Sequence, residues 1–143
     1  MTTDFTLHAR LKADCIWLGD LPLCRVLLAG DARFAWFILV PKRGDIRETY
    51  QLSQSEQDIL SRESAAFSRA IMERFNGDKL NIGALGNMVP QLHIHHIIRH
   101  EGDAAWPHAV WGHGEAQSYS AQAIEDMRAA ISALGLKGYV ASA

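Results

Sequence analysis

Gln91-Leu92-His93-Ile94-His95-His96-Ile97-Ile98-Arg99-His100 holds four of the seven histidines in the chain, and its reading decides the fold. Leu92, Ile94, Ile97 and Ile98 are strand formers. In an extended backbone successive side chains point to opposite faces. Gln91, His93, His95, Ile97 and Arg99 then share one side, and Leu92, Ile94, His96 and Ile98 share the other. One face is polar and imidazole-bearing, while the other is apolar enough to lie on a helix. Two imidazoles two residues apart on one strand stand side by side, which suits either a metal ion or phosphate chemistry at nitrogen.

Working outward, Leu80 to Ile82 starts a strand upstream, and Gly83, Gly86 and Asn87 make a tight polar loop that leads into the histidine run. Before that, Ser53 and Glu56 have capping-box spacing, and Leu60, Phe67, Ile71 and Phe75 recur at helical intervals until Asn76-Gly77. The pattern predicts an amphipathic helix of about six turns. Phe34 to Val40 is an aromatic and branched run stopped by Pro41, and Leu23 to Leu28 is a second strand, separated from it by the turn signal Ala29-Gly30-Asp31. So short a connection makes an antiparallel hairpin. Cys15 to Leu18 reads as a further strand ending at Gly19-Asp20, behind a lead-in over residues 1–13 with a short helical turn and a surface His8. Downstream, residues 102–114 form an aromatic loop in which Trp106 and Trp111 act as packing anchors. Ser120 then caps a C-terminal helix lined by Ile124, Met127, Ile131 and Leu134 and stopped at Gly135. These elements make an α+β fold: an antiparallel sheet of about five strands, a long helix on one face and the histidine pocket on the other.

With 143 residues, residues 1–143 form a single domain able to bury its own core. Hydrophobic residues at 48% and charged residues at 21% describe an ordinary globular protein. A net charge of −2 gives no basic field for a nucleic-acid backbone. No apolar run approaches the roughly 20 residues of a membrane span, and the start Met1-Thr2-Thr3-Asp4 lacks the pattern of a secretory leader, so a cytoplasmic protein is expected. Cys15 and Cys24 are too few for a disulfide framework and read as buried thiols.

The central run resembles the motif of the histidine triad (HIT) family, in which three histidines alternate with apolar residues. Gln91 takes the first position, His93 the second and His95 the third, as in a bacterial-type member with Gln in place of the first histidine. Phe37-Ile38-Leu39-Val40-Pro41-Lys42-Arg43 is similar to the family's strand ending in a Pro-Lys segment, and Asn81-Ile82-Gly83 with Gly86-Asn87 resembles its polar loop. The similarity covers roughly residues 20–100. It implies a HIT-like fold and a nucleotidyl hydrolase or transferase acting on nucleoside phosphoramidates or dinucleoside polyphosphates. His93 would attack the α-phosphorus and form a nucleotidyl-histidine intermediate, its other ring nitrogen held by a backbone carbonyl. His95 would stabilise the developing charge. Asn81, Gly86 and Asn87 would supply amide donors to the nucleotide, and Asp31 would accept from a ribose hydroxyl. The resemblance also implies a two-fold homodimer and no required cofactor, with a divalent cation accompanying a polyphosphate substrate. Two departures stand out: Gln91 cannot titrate, and Met88 stands where many relatives carry a small hydroxyl residue. They sustain a rival reading, a nucleotide-binding or regulatory module with little turnover. A third reading is a metalloprotein in which His93, His95 and one of His100, His108 or His113 ligate zinc.

Overall fold

A computed structural model describes residues 4–143; the first three residues of the lead-in lie outside the described residues. Among the described residues, six strands form one antiparallel sheet: β1 Cys15–Asp20, β2 Cys24–Ala29, β3 Ala35–Pro41, β4 Lys79–Gly83, β5 Ile94–Arg99 and β6 Val140–Ala141. Their order is β4-β5-β3-β2-β1-β6. The predicted hairpin is β2–β3, with Leu27 opposite Ile38. The histidine strand β5 lies between β3 and β4, with His95 opposite Ile38 on one side and Gly83 on the other.

The sheet has one strand more than the sequence predicts. β6 is two residues long and pairs with Gly19 and Asp20 of β1. So short a strand carries no alternation to read. Gly19 permits it, because a Cβ there would come within 2.5 Å of the Tyr139 ring and 2.6 Å of the Val140 carbonyl. The histidine strand is also shorter than the run suggests, starting only at Ile94. Leu92 is tied instead by its N–H to the Ile46 carbonyl at 2.9 Å.

Helix α2, Gln54–Arg74, begins at the predicted capping box, where Ser53 Oγ accepts from the Glu56 N–H and the Glu56 carboxylate accepts from the Ser53 N–H. Asn76 ends the segment with φ 52°, the left-handed turn that Asn tolerates after a helix. The apolar stripe Leu60, Phe67 and Ile71 packs on Phe37, Leu39, Ile94 and Ile98 of the sheet. Each such side chain contributes about 1.5–3 kcal/mol of burial. Helix α3, Ala121–Ser132, is capped by Ser120 and sinks Ile131 into the same core.

On the opposite face, Leu11 of helix α1, Ala9–Asp14, packs with Leu27, Ala29, Ile38 and Val40. The 100–114 loop closes beside it, packing its Ala105 and Val110 on Phe34 and Ile97. Arg99 pins that loop. Only 1% exposed, it donates to both oxygens of Asp103 at 2.8 and 3.0 Å and to Asn81 Oδ1 at 2.8 Å. His100, just past β5, has its Nε2 3.0 Å from the Phe75 carbonyl at the end of α2. The Lys42–Arg43 turn is tied down by ion pairs: Lys42 pairs with Asp20, and Arg43 pairs with Glu56.

Candidate active site

His93 and His95 are side by side, with ring centroids 5.0 Å apart. Both are largely buried, at 7% and 8% exposure. His93 Nδ1 is 2.7 Å from the Gln91 carbonyl oxygen. A carbonyl can only accept, so the proton sits on Nδ1 and the Nε2 lone pair is free. His95 is fixed the other way. Its Nδ1 lies 2.9 Å from Trp36 Nε1, and an indole N–H can only donate. The His95 lone pair therefore sits on Nδ1, and the neutral ring carries its proton on Nε2. Burial, reinforced by His93 and then His96, pushes His95 down to about 4, which keeps it neutral at physiological pH. Neither Nε2 has a partner among the described residues.

His96 is built differently. It faces α2, donates from Nδ1 to the Ile94 carbonyl at 3.0 Å and accepts at Nε2 from the Ser64 hydroxyl at 2.8 Å. Fully buried and fully bonded, it is held down to about 4 mainly by desolvation.

His93 and His95 line a cavity of about 800 Å³, within the size range of small-molecule sites. Trp36, Trp111, Ile38 and Leu11 supply apolar wall; Asp31, Arg33 and His113 supply polar groups. Trp111 meets His95 edge to face at 5.3 Å, and a Cβ on Gly83 would come within 3.2 Å of the Trp111 ring. The glycine of β4 thus leaves room for the tryptophan that backs the histidine.

A family model described as the HIT domain matches residues 10–102. The chain belongs to the HIT domain family. Among solved structures, it is similar to a histidine triad protein from Marinobacter aquaeolei VT8, with 48% identity over 91% of this chain and 95% of that one and a TM-score of 0.89. A histidine triad protein from Bradyrhizobium japonicum shares 45% identity over 91% and 97% of the two chains, also at 0.89. One from Sinorhizobium meliloti 1021 shares 41% over 93% and 98%, again at 0.89. No protein of curated function matches the chain.

Of the residues singled out in the sequence of this HIT-family chain, the structure brings His93, His95 and Asp31 into the cavity. Asp31 is paired with Arg33 through bonds of 3.0 and 2.8 Å and accepts from the Gln117 N–H at 3.3 Å. Burial opposes its ionisation, but these donors outweigh it and hold the carboxyl below its usual range. Gln91 has its side chain elsewhere: it accepts from the His8 N–H at 2.8 Å and donates to the Thr6 carbonyl at 2.9 Å, tying down the segment before α1. Asn81 accepts from Arg99 and does not line the cavity. Gly86 borders a small recess beside Gln91 and His93, and Asn87 lines neither hollow. Met88 lines the cavity while being 72% exposed.

Sequence reading missed Trp36 and Arg33. Trp36 was hidden inside an apolar run, and its role depends on the β3–β5 register that places it near His95. Arg33 had a nearer signal, since a basic residue two positions after Asp31 in a tight turn can fold back onto it. Among the described residues, no group of three His, Cys, Asp or Glu could hold a metal ion.

Proposed function

We propose that this chain is a nucleotidyl hydrolase or transferase that cleaves nucleoside phosphoramidates or dinucleoside polyphosphates through a nucleotidyl-histidine intermediate on His93. The HIT-domain fold fits nucleotide binding and this class of chemistry. The observation that carries the proposal is the 2.7 Å contact from His93 Nδ1 to the Gln91 carbonyl, which leaves the Nε2 lone pair in front of the cavity. A neutral imidazole so held is a competent nucleophile near neutral pH, and the phosphorus–nitrogen bond it forms is labile to water. His95 presents an Nε2 proton to the same phosphate, a preorganised donor for the charge that builds in the transition state. Asp31 would offer a ribose hydroxyl its Oδ2, which accepts only from the Arg33 guanidinium, at 2.8 Å and through a longer shared contact of 3.3 Å, whereas Oδ1 already takes three donors. Gly86, which borders the recess beside His93, would offer its backbone N–H to the nucleotide. The rival module reading draws on Gln91, whose amide is engaged with Thr6 and His8 and supplies no acid. Turnover of adenylated and guanylated phosphoramidates and dinucleotides by wild type and His93→Ala separates the two. Product formed by wild type and lost in the variant supports the enzyme. Tight nucleotide binding with no product from any of them supports the module.

A further inference from the structure

We propose that Trp36 is a positioning residue that makes His95 a hydrogen-bond donor unable to act as a general acid, and that the site consequently prefers nucleotidyl anhydrides to nucleotidyl amidates. The inference rests on the reading of His93 as nucleophile and narrows its substrate class.

An imidazole delivers a proton readily only from its doubly protonated form, which needs an N–H on both nitrogens. At His95 one nitrogen is occupied against this. Trp36 Nε1, itself an N–H, faces Nδ1 at 2.9 Å, and two N–H groups cannot share that position. Protonation would require the indole bond to break or the ring to turn. The ring has little room to turn, with Trp36, Trp111 and His93 at centroid distances of 5.6, 5.3 and 5.0 Å. Nor do the neighbouring imidazoles favour a cation. His93 from the segment before β5 is a second imidazole, His96 lies on the opposite face of the same strand, and His113 of the 100–114 loop lines the shared cavity. The two carboxylates that line the cavity, Asp31 and Asp14, are each paired with an arginine, Arg33 and Arg10. Burial acts in the same direction.

Neither Gln91 nor Met88 stands in for the missing acid. The Gln91 amide is bonded to Thr6 and His8, and Met88 has no proton to give. An amine leaves phosphorus only if its nitrogen is protonated, whereas a phosphate or polyphosphate oxygen departs as a stable anion. In the step the geometry favours, the His93 Nε2 lone pair forms the N–P bond while the P–O bond to the leaving group breaks, its electron pair remaining on that oxygen. His95 Nε2–H donates to a phosphate oxygen and keeps its proton. Water then attacks phosphorus and releases a proton to solvent, and the P–N pair returns to His93.

Two measurements on wild type and Trp36→Phe test the proposal. The first is nitrogen-15 NMR of the His95 ring, which reports tautomer and charge without any substrate. Wild type should show the Nε2–H tautomer with no titration between about pH 5 and 8, and the variant should lose the single tautomer and titrate at a higher pH than wild type. The second compares kcat/KM for diadenosine tetraphosphate with magnesium against adenosine 5′-phosphoramidate. Wild type should favour the anhydride by about a hundredfold, the lower end of what a general acid contributes, and Trp36→Phe should narrow that ratio as pH falls. An Nδ1–H tautomer in wild type, equal or better use of the phosphoramidate, or an unchanged ratio in a folded variant would each overturn the proposal. Should Trp36→Phe not fold, the wild-type spectrum and substrate ratio still decide. If neither substrate is hydrolysed, the parent reading fails and the substrate preference with it, while the NMR tautomer stands or falls separately.

Discussion

The two faces of β5 and of the residue leading into it carry the same residue type to opposite ends. His96 spends both ring nitrogens inside the protein, on Ser64 and on the Ile94 carbonyl, and becomes core. His93 and His95 spend one nitrogen each, on a carbonyl and on an indole, and keep the other for whatever enters the cavity. Burial does not separate the two faces, since all three rings are under 9% exposed. The difference lies in what hydrogen-bonding capacity is left once internal partners are satisfied, and in which sign: a lone pair at His93 and a proton at His95.

The largest expected effect that would sharpen this contrast is on turnover. His93→Ala should lose at least about a thousandfold in kcat/KM while unfolding at nearly the wild-type denaturant midpoint. His96→Ala should do the reverse. It leaves Ser64 without its partner and a hole against Phe67, so chemical denaturation should show a loss of about 3 kcal/mol, with turnover per folded molecule largely kept. A comparable loss of turnover in both variants would erase the distinction between the faces.

Acid should act on both faces through stability. His95 and His96 are depressed from 6.5 to about 4 in the fold, so between those values the unfolded chain binds more protons than the folded one. Their contribution is full above pH 6.5 and is lost as pH falls towards 4, a decline on the order of 2 kcal/mol or more that urea titrations across the window would register. Asp103, held at about 2 chiefly by Arg99, adds its own loss only below that window. His96→Ala should flatten part of the slope. The smallest effect concerns Gln91. Replacing it with Ala removes two hydrogen bonds to the N-terminal segment, so a loss of about 1 kcal/mol and faster amide exchange at His8 are expected.

Much of this was legible before any coordinates, and for definite reasons. Period-two alternation put His96 opposite His93 and His95. The Ser53–Glu56 capping box and the Leu60, Phe67, Ile71 stripe marked α2, and aromatic and branched residues up to Pro41 marked β3. What stayed hidden depends on partners far apart in the chain. No local pattern shows that Trp36 reaches across 59 residues to His95, that Gln91 reaches back to Thr6 and His8, or that Asn81 is taken up by Arg99. A two-residue strand such as β6 is set by tertiary packing against Gly19 and leaves no periodic trace. Hydrophobic pattern therefore announced which face each histidine occupies. Only the tertiary hydrogen bonds showed which atoms remain available on it.

The most direct measurement of that availability is intact-mass analysis of denatured protein after rapid mixing with an adenylated substrate, followed by fragment mapping. A single added nucleotidyl group on His93, absent from His93→Ala and retained in His96→Ala, is the predicted result. An adduct that maps to another residue, or that survives removal of the His93 imidazole, would contradict the account.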